Sequence, residues 1–320
     1  MSTSDTVRLK LLGLPIIESI EDFATLTRLS QSAIYQLSVF ADKHYKTYTI
    51  PKKSGGLRTI AQPSRQLKGL QSWILVNILN KLTTSSACKG FQKGESIFHN
   101  AQAHMGATAI LTVDIENFFP SITKKQVFNI FKAIGYNNLI ATIFSNLSTY
   151  ENRLPQGSPC SPKLANLSVW RLDARLQGYV GKQGINYSRY ADDLTFSGST
   201  PFTLARALPF VQYIVKKEKF KLNNAKTRLA GPSKAKVVTG LIVQNDSVGI
   251  GTEKYKILRA KIHRLTIPSE QENLKLLSEV HGWLAYLNSV DIKRLNKAKR
   301  YIYTLKVKNP HTLVTQINWI

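Results

Sequence analysis

Acidic side chains are scarce in this chain. Nineteen Asp and Glu stand against forty-four Lys and Arg in 320 residues, a formal net charge of +25. That imbalance says little about fold, but it favours a polyanionic partner. Cysteine is scarcer still: Cys88 and Cys160 lie far apart and neither begins a Cys-x-x-Cys pair. No zinc site or disulfide framework is therefore indicated, and a reduced, cytoplasmic protein is expected. Long apolar runs are missing too. None approaches the ~18 residues that span a bilayer, so nucleic acid is expected as the partner rather than membrane. The short run from Leu11 to Ile17 follows Asp5 and precedes Glu18, Glu21 and Asp22, without the cationic start of a secretory signal. No internal repeat or low-complexity stretch stands out. What remains is a 43% hydrophobic composition, enough for a substantial core and more than one packing unit.

The pattern of apolar residues mixes strands and helices without regular alternation. Residues 1–45 read as helical and polar-faced. Tyr48-Thr49-Ile50 and Leu57-Arg58-Thr59-Ile60 flank Pro51-Lys52-Lys53-Ser54-Gly55-Gly56, a hairpin with a glycine turn and a cationic tip. Leu67, Leu70, Ile74, Ile78 and Leu82 recur at helical spacing. Thr123 with Gln126 makes a capping box, and Gly135 ends the helix it opens. Another helix is expected to start at Ser161-Pro162 and close near Gly178. From about Gly251 the chain reads as helical and basic. This is an α+β pattern, with a palm-like core and a helical C-terminal unit.

The chemistry-bearing stretch is Tyr190-Ala191-Asp192-Asp193. Ile185 and Tyr187 alternate with Asn186 and Ser188 before it, and Leu194 and Phe196 alternate with Thr195 and Ser197 after it. That period argues for strand, turn, strand. A third carboxylate, Asp114, ends Ala109-Ile110-Leu111-Thr112-Val113, which reads as a fully buried strand. Acid pairs also occur in turns for purely local reasons, because Asp bonds neighbouring backbone groups and tolerates unusual φ/ψ. Three acids at strand ends in a basic protein point instead to two divalent metals and a phosphate-bearing substrate. Hard oxygen ligands suit Mg²⁺, and paired ions clamp the attacking and leaving oxygens of an in-line displacement.

Together these pieces resemble a reverse transcriptase. Val113-Asp114-Ile115-Glu116-Asn117-Phe118-Phe119-Pro120 resembles the family's first catalytic motif. Leu154-Pro155-Gln156-Gly157-Ser158-Pro159-Cys160-Ser161-Pro162 resembles its nucleotide-contacting loop, and Tyr190 to Asp193 its catalytic hairpin. The order and spacings agree over residues 45–245, and several ordered motifs are far more specific than one. Asn100-Ala101-Gln102-Ala103-His104 and Val238-Thr239-Gly240 resemble two signatures of the retron enzymes. The short basic C-terminal unit and the lack of a ribonuclease H-like or endonuclease extension fit that group.

The resemblance implies a right-hand polymerase architecture with an antiparallel palm sheet. It divides into a helical N-terminal region (1–45), fingers and palm (46–240) and a basic helical thumb (241–320). It implies two Mg²⁺ ions, deoxynucleoside triphosphates and a structured noncoding RNA. Part of that RNA is copied from the 2′-hydroxyl of an internal guanosine into branched RNA–DNA, or msDNA. An accessory effector protein and a role in phage defence are implied as well. Asp114, Asp192 and Asp193 would hold the metals with the Ile115 carbonyl. Tyr190 and Ala191 would lie beside primer and template. Phe119 would stand against the sugar and exclude the 2′-hydroxyl of a ribonucleotide, although one of Phe118 and Phe119 belongs to the core. Lys52, Lys53 and Arg58 would close over the triphosphate, Arg as a planar fork and Lys as a point charge. Gln156 would touch the incoming nucleotide, and Lys226 would protonate pyrophosphate or remain a surface lysine.

RNA binding falls to several segments. Asn100 and His104 share one face if helical, and either contact RNA or order neighbouring loops. Val238, Thr239 and Gly240 either contact RNA or form a strand entering a glycine bend. Tyr255, Leu258, Ile262 and Leu265 make one apolar stripe, with Lys254, Arg259 and Arg264 on other faces for phosphate backbones. Tyr286 and Trp283 could stack on unpaired bases, with core packing favoured for Trp283. Two rivals remain at this stage: an intron-encoded or diversity-generating reverse transcriptase, and a non-catalytic RNA or RNA–DNA scaffold.

Overall fold

The computed structural model describes residues 3–52, 55–267 and 272–318. Helices α1 (Thr3–Leu11), α2 (Ile20–Thr27) and α3 (Gln31–Val39) come first. Ser19 and Asp22 form a capping box on α2, and Ser30 caps α3. The 1–45 region is helical, as its pattern indicated, but it is no unit apart. Leu9, Ile17, Phe23 and Ile34 are fully buried in the same core as Phe131 and Phe144.

Strands β1 (Tyr45–Pro51) and β2 (Leu57–Pro63) pair antiparallel, with Ile50 opposite Arg58. The turn uses positive φ at Gly55 and Gly56, +85° and +81°, where a side chain would be strained. Most of this hairpin is exposed, so it projects as an arm. Lys52 is exposed at the end of β1; Lys53 lies outside the described residues. Helix α4 (Arg65–Asn77) ends earlier than the apolar spacing suggested. Ile78 and Leu82 stay buried through a tighter turn at Leu79–Lys81.

The palm follows: α5 (Ile97–Gln102), β3 (Ala109–Asp114), α6 (Phe118–Ser121), α7 (Lys124–Ile134) and α8 (Asn138–Ser148). The Thr123–Gln126 capping box and the Gly135 cap both frame α7. The helix expected from Ser161 to Gly178 is two helices, α9 (Ser161–Ser168) and α10 (Trp170–Gly181), parted at Val169. Ser161 is not its cap. Cys160 stands there without a capping bond, its thiol donating instead to the Gln71 carbonyl at 2.9 Å, and the Ser161 hydroxyl is buried unpartnered. Then come β4 (Asn186–Tyr190), β5 (Asp193–Gly198), α11 (Pro201–Lys217) and β6 (Arg228–Ala230). These strands make one antiparallel sheet in the order β4-β5-β3-β6.

The chain continues through β7 (Val237–Val238), β8 (Leu241–Val243) and β9 (Val248–Gly249), a second small sheet. Helices α12 (Thr252–Arg264), α13 (Glu272–Val290) and α14 (Ile292–Lys308) complete the C-terminal unit. Leu258, Ile262 and Leu265 bury their stripe in a second core with Val280, Leu287 and Ile302. Val238 belongs to that core, so a boundary at 240/241 cuts through one small sheet. Ala101 of α5 and Ile110 of β3 belong to it as well.

Alternation along β4 and β5 ordinarily means one wet face. Here both faces are covered. Tyr187 and Phe196 stack at 5.0 Å on the apolar side, while Ser188, Thr195 and Ser197 are buried on the other. His104 and Asn100, both 0% exposed, explain this. The Ser188 hydroxyl donates to Asn100 Oδ1 at 2.7 Å, so its oxygen accepts from His104 Nε2 at 2.7 Å. Nδ1 is then left to accept from the Ser197 hydroxyl at 2.7 Å, which requires a neutral imidazole. Burial pushes this imidazole down from 6.5 to about 4.

The His104 contribution to stability is accordingly complete above about pH 6.5 and lost as pH falls towards 4, by up to about 1.4 kcal/mol per pH step. Asp193 acts with the opposite sign over an overlapping window, being pushed up to about 6 by burial and by Asp192. The difference between wild type and His104→Gln cancels it. In denaturant titrations the wild type should be about 2 kcal/mol the more stable at pH 7, two lost hydrogen bonds' worth, and the gap should close by pH 5. A gap that does not vary with pH would show that His104 is not a buried neutral ring.

Candidate active site

Strand register gathers the acids. Asp114 ends β3 and lies directly opposite Asp193, the first residue of β5. Side chains alternate faces along a strand, so Ile110, Thr112 and Asp114 share a face with Asp193 and Thr195. All five line a cleft of about 800 Å³, with Tyr190, Lys226, Thr239 and Gly240 also on its wall. Asp192 sits in the turn. The turn's positive φ, +58°, falls on Ala191 and not on either Asp, so tolerance of unusual φ/ψ does not account for the acid pair.

The acids feel one another. Burial pushes Asp192 up, and the Asp114 charge adds to it, opposed by Lys226 and Arg58. Asp193 is pushed up to about 6, by burial first and then by Asp192 and Asp114. Lys226 Nζ donates to both Asp114 oxygens, at 3.0 and 2.9 Å, which raises its own pKa and keeps it charged. Among the described residues no three His, Cys, Asp or Glu groups close into a ready metal cage. The donor set nonetheless fits a hard divalent cation: carboxylate oxygens whose mutual repulsion needs positive charge.

The projecting hairpin is coupled to this site. Arg58 is exposed on β2, and its charge reaches Asp192. The backbone carbonyl of Gln156 accepts from the Ala61 amide at 2.8 Å, tying the 154–160 loop to β2. Gly157 has φ +136°, and a Cβ there would lie 2.4 Å from the Ala61 oxygen, so the join admits no side chain. Gln156 Oε1 is buried without a hydrogen-bond partner, a state a ligand donor would relieve.

The two phenylalanines differ in burial. Phe118 is 3% exposed. Phe119 is half-buried and meets Phe91, ring centroids 6.1 Å apart, which in turn meets Tyr190 at 6.4 Å. Tyr190 lies on the cleft wall, and the Ala191 side chain beside it is buried. The Ala191 amide packs against Gly90, where an added Cβ would come within 2.6 Å.

Asn100, His104 and Val238 are all fully buried, so the expectation that they touch RNA is corrected. The first two lock the palm sheet to α5, and Val238 is thumb core. The Thr239 hydroxyl donates to the Ile97 carbonyl at 3.2 Å, so the 238–240 segment meets α5, the helix that carries Asn100. Lys254 Nζ donates to the Gly240 carbonyl at 2.7 Å. The Arg259 guanidinium lies 4.4 Å over the Tyr301 ring. Lys254, Arg259 and Arg264 are nonetheless exposed. Trp283 and Tyr286 meet edge-on at 5.9 Å and pack against the second core.

Four buried residues that bear on the site escaped the sequence reading: Gly90, Asn166, Asp173 and Arg189. One signal was available. Arg189 shares the Ile185–Tyr187 face of β4, and a lone charge on an apolar face implies a buried partner. That partner is Asp173, with Arg189 Nη2 2.8 Å from Oδ2 and both side chains 0% exposed. Cys88 and Cys160 are buried free thiols.

Comparisons with known proteins agree with this geometry. Residues 50–279 match the family model for reverse transcriptase (RNA-dependent DNA polymerase). The chain is 44% identical to the Retron Ec86 reverse transcriptase of Escherichia coli, over 95% of this chain and 94% of that one. It is 33% identical to the Retron Mx65 reverse transcriptase of Myxococcus xanthus, covering 92% and 74% of the two chains. A solved foamy viral protease-reverse transcriptase bound to double-stranded DNA aligns loosely, at TM-score 0.47 and 18% identity over 84% of this chain and 44% of that one. The chain thus belongs to the reverse transcriptases and, among them, to the retron enzymes, which are RNA-directed DNA polymerases of right-hand architecture.

Proposed function

We propose that this enzyme copies part of a cognate structured noncoding RNA, starting from an internal guanosine 2′-hydroxyl, to give msDNA. The observation that carries the catalytic half of this reading is the set of three mutually repelling carboxylates, two of which, Asp114 and Asp193, stand on the wall of a cleft reaching Thr239 and Gly240. The retron half rests on 44% identity over nearly the whole chain. Two Mg²⁺ ions are the cofactors on this reading, held by Asp114, Asp192, Asp193 and the Ile115 carbonyl. Bound there, they lower the pKa of the primer hydroxyl and neutralise charge on the leaving pyrophosphate.

The protein's own groups do the rest. Lys226 releases Asp114 and turns to the leaving pyrophosphate as proton donor. Arg58 and Lys52 close over the triphosphate as the hairpin arm folds in. Gln156 Oε1 accepts a hydrogen bond from the incoming deoxynucleotide. Phe119 packs against its sugar, backed by Phe91, and leaves no room for a 2′-hydroxyl. Tyr190 supports the primer end. The thumb holds stem backbones through Lys254, Arg259 and Arg264, and Thr239 and Gly240 meet RNA along the cleft wall. No helix among the described residues is long and apolar enough to cross a membrane, and the proposed setting is the cytoplasm. There the enzyme and its msDNA act with an accessory effector protein in phage defence.

The primary test removes the acids' charge while keeping their shape. Asp192→Asn with Asp193→Asn should abolish deoxynucleotide incorporation, by at least about 1,000-fold, the size of effect expected where metal-borne charge stabilisation is lost. Its RNA affinity in a filter-binding assay should match wild type. Appreciable Mg²⁺-dependent incorporation by this variant would falsify the assignment.

Phe119→Val should relax sugar choice more than it slows deoxynucleotide use. Primer extension in mixed ribo- and deoxynucleotides reads this directly, and unchanged discrimination would make Phe119 a packing residue.

Replacing Lys254, Arg259 and Arg264 by Gln should weaken RNA binding and flatten the log–log salt slope by about 0.7–0.9 per phosphate contact removed. Catalysis on saturating RNA should persist. A slope equal to that of wild type would place the phosphate contacts elsewhere.

A further inference from the structure

Arg189 and Asp173 form an ion pair shut away from solvent directly beneath the catalytic turn. Arg189 Nε donates to Asp173 Oδ1 at 2.8 Å and Nη2 to Oδ2 at 2.8 Å, a fork on a carboxylate. Tyr187 Oη donates to the same Oδ1 at 2.8 Å. Stability alone gives weak reason for such a pair, since well-packed apolar replacements are often neutral or better. The remaining bonds of Arg189 are more telling. Its Nη1 donates to Asn166 Oδ1 at 2.9 Å and to the backbone carbonyl of Ala191 at 3.1 Å. That carbonyl belongs to the peptide joining Ala191 to Asp192.

The peptide on the other side of Asp192 is held as well, because its carbonyl accepts from the Ile115 amide at 2.9 Å. With both flanking planes fixed, the direction of the Asp192 Cα–Cβ bond is fixed too. The turn needs such holding. Ala191 carries φ +58°, a region that alanine adopts only when its surroundings over-determine it. Asn166 extends the brace, donating from Nδ2 to the Gly90 carbonyl at 2.9 Å, and Gly90 lies against the Ala191 amide.

We infer that Arg189, anchored by Asp173, is a positioning residue that aims Asp192 at the metals through the Ala191 carbonyl. The inference rests on the reading of Asp192 as a metal ligand. It assigns to a fully buried pair a function that its contribution to folding does not require.

Two variants separate aim from fold. Arg189→Lys keeps the charge beside Asp173 but lacks the planar fork. Arg189→Met with Asp173→Asn removes the buried charge pair and keeps an acceptor for Tyr187. The probe is Mn²⁺ alone, its free concentration read by electron paramagnetic resonance, alongside the Mg²⁺ dependence of incorporation, RNA affinity and the thermal midpoint. Both variants should raise the Mn²⁺ dissociation constant and the half-saturating Mg²⁺ about tenfold. RNA affinity should stay at wild type, and excess metal should restore much of kcat. A folded double variant with wild-type Mn²⁺ affinity overturns the inference, as does full rescue by Arg189→Lys.

Hydrogen exchange on the wild type covers the case in which neither variant folds. Coupling is reciprocal, so Mn²⁺ should slow amide exchange across residues 189–193, and unchanged exchange overturns the inference. Failure of the underlying reading looks different: Asp192→Asn with Asp193→Asn would then bind Mn²⁺ as wild type does.

Discussion

Repulsion among Asp114, Asp192 and Asp193 is the constraint around which this molecule is arranged. Isolated in water, three carboxylates would separate or pick up protons. Here β3–β5 register places two of them opposite each other and the hairpin turn brings the third alongside. Burial first, and then the neighbouring carboxylates, raise the pKa values of Asp192 and Asp193. Lys226, from the segment leading into β6, supplies countercharge to Asp114.

Holding them close requires a palm sheet that cannot flex, and the two faces achieve this by different chemistry. The apolar face is sealed by close packing, with Tyr187 and Phe196 stacked and Leu111 and Leu194 buried. The polar face is sealed by directed hydrogen bonds that link His104 and Asn100 with serines 188 and 197. A buried polar network holds one geometry because every departure leaves groups unsatisfied. The same short helix, α5, meets the second small sheet and places Ala101 in the thumb core. The joint that stiffens the catalytic hairpin is therefore also the joint between palm and thumb.

Positive charge is distributed by distance from the acids. Near them it is specific: Lys226 bonded to Asp114, and Arg58 on the arm within electrostatic reach of Asp192. Farther out, on α12 and α14, it coats the solvent faces of helices whose apolar stripes build the second core. Some of that coat is tied down locally, as Lys254 is to the Gly240 carbonyl and Arg259 to the Tyr301 ring. A surface of this kind binds polyanions through counterion release with little dependence on sequence.

Much of this was legible in the residue order. The buried run ending at Asp114, the acid pair between alternating segments, the glycine hairpin and the capped helix after Thr123 are local patterns with local causes, and each stands where its pattern placed it. What local pattern could not reveal was which face of a strand would be covered, and by what. Ser188 and Ser197 read as solvent-facing until α5 lies over them. Asn100 and His104 read as contacts for RNA or as loop-ordering residues until Ser188 and Ser197 bond to them in the core. Arg189 read as an unremarked strand residue until Asp173, sixteen positions earlier, met it in the core. A side chain's chemistry and its period along an element are properties of the sequence. Its partner across space is decided only when distant segments pack, because desolvation makes a buried polar group depend on whichever group arrives opposite it.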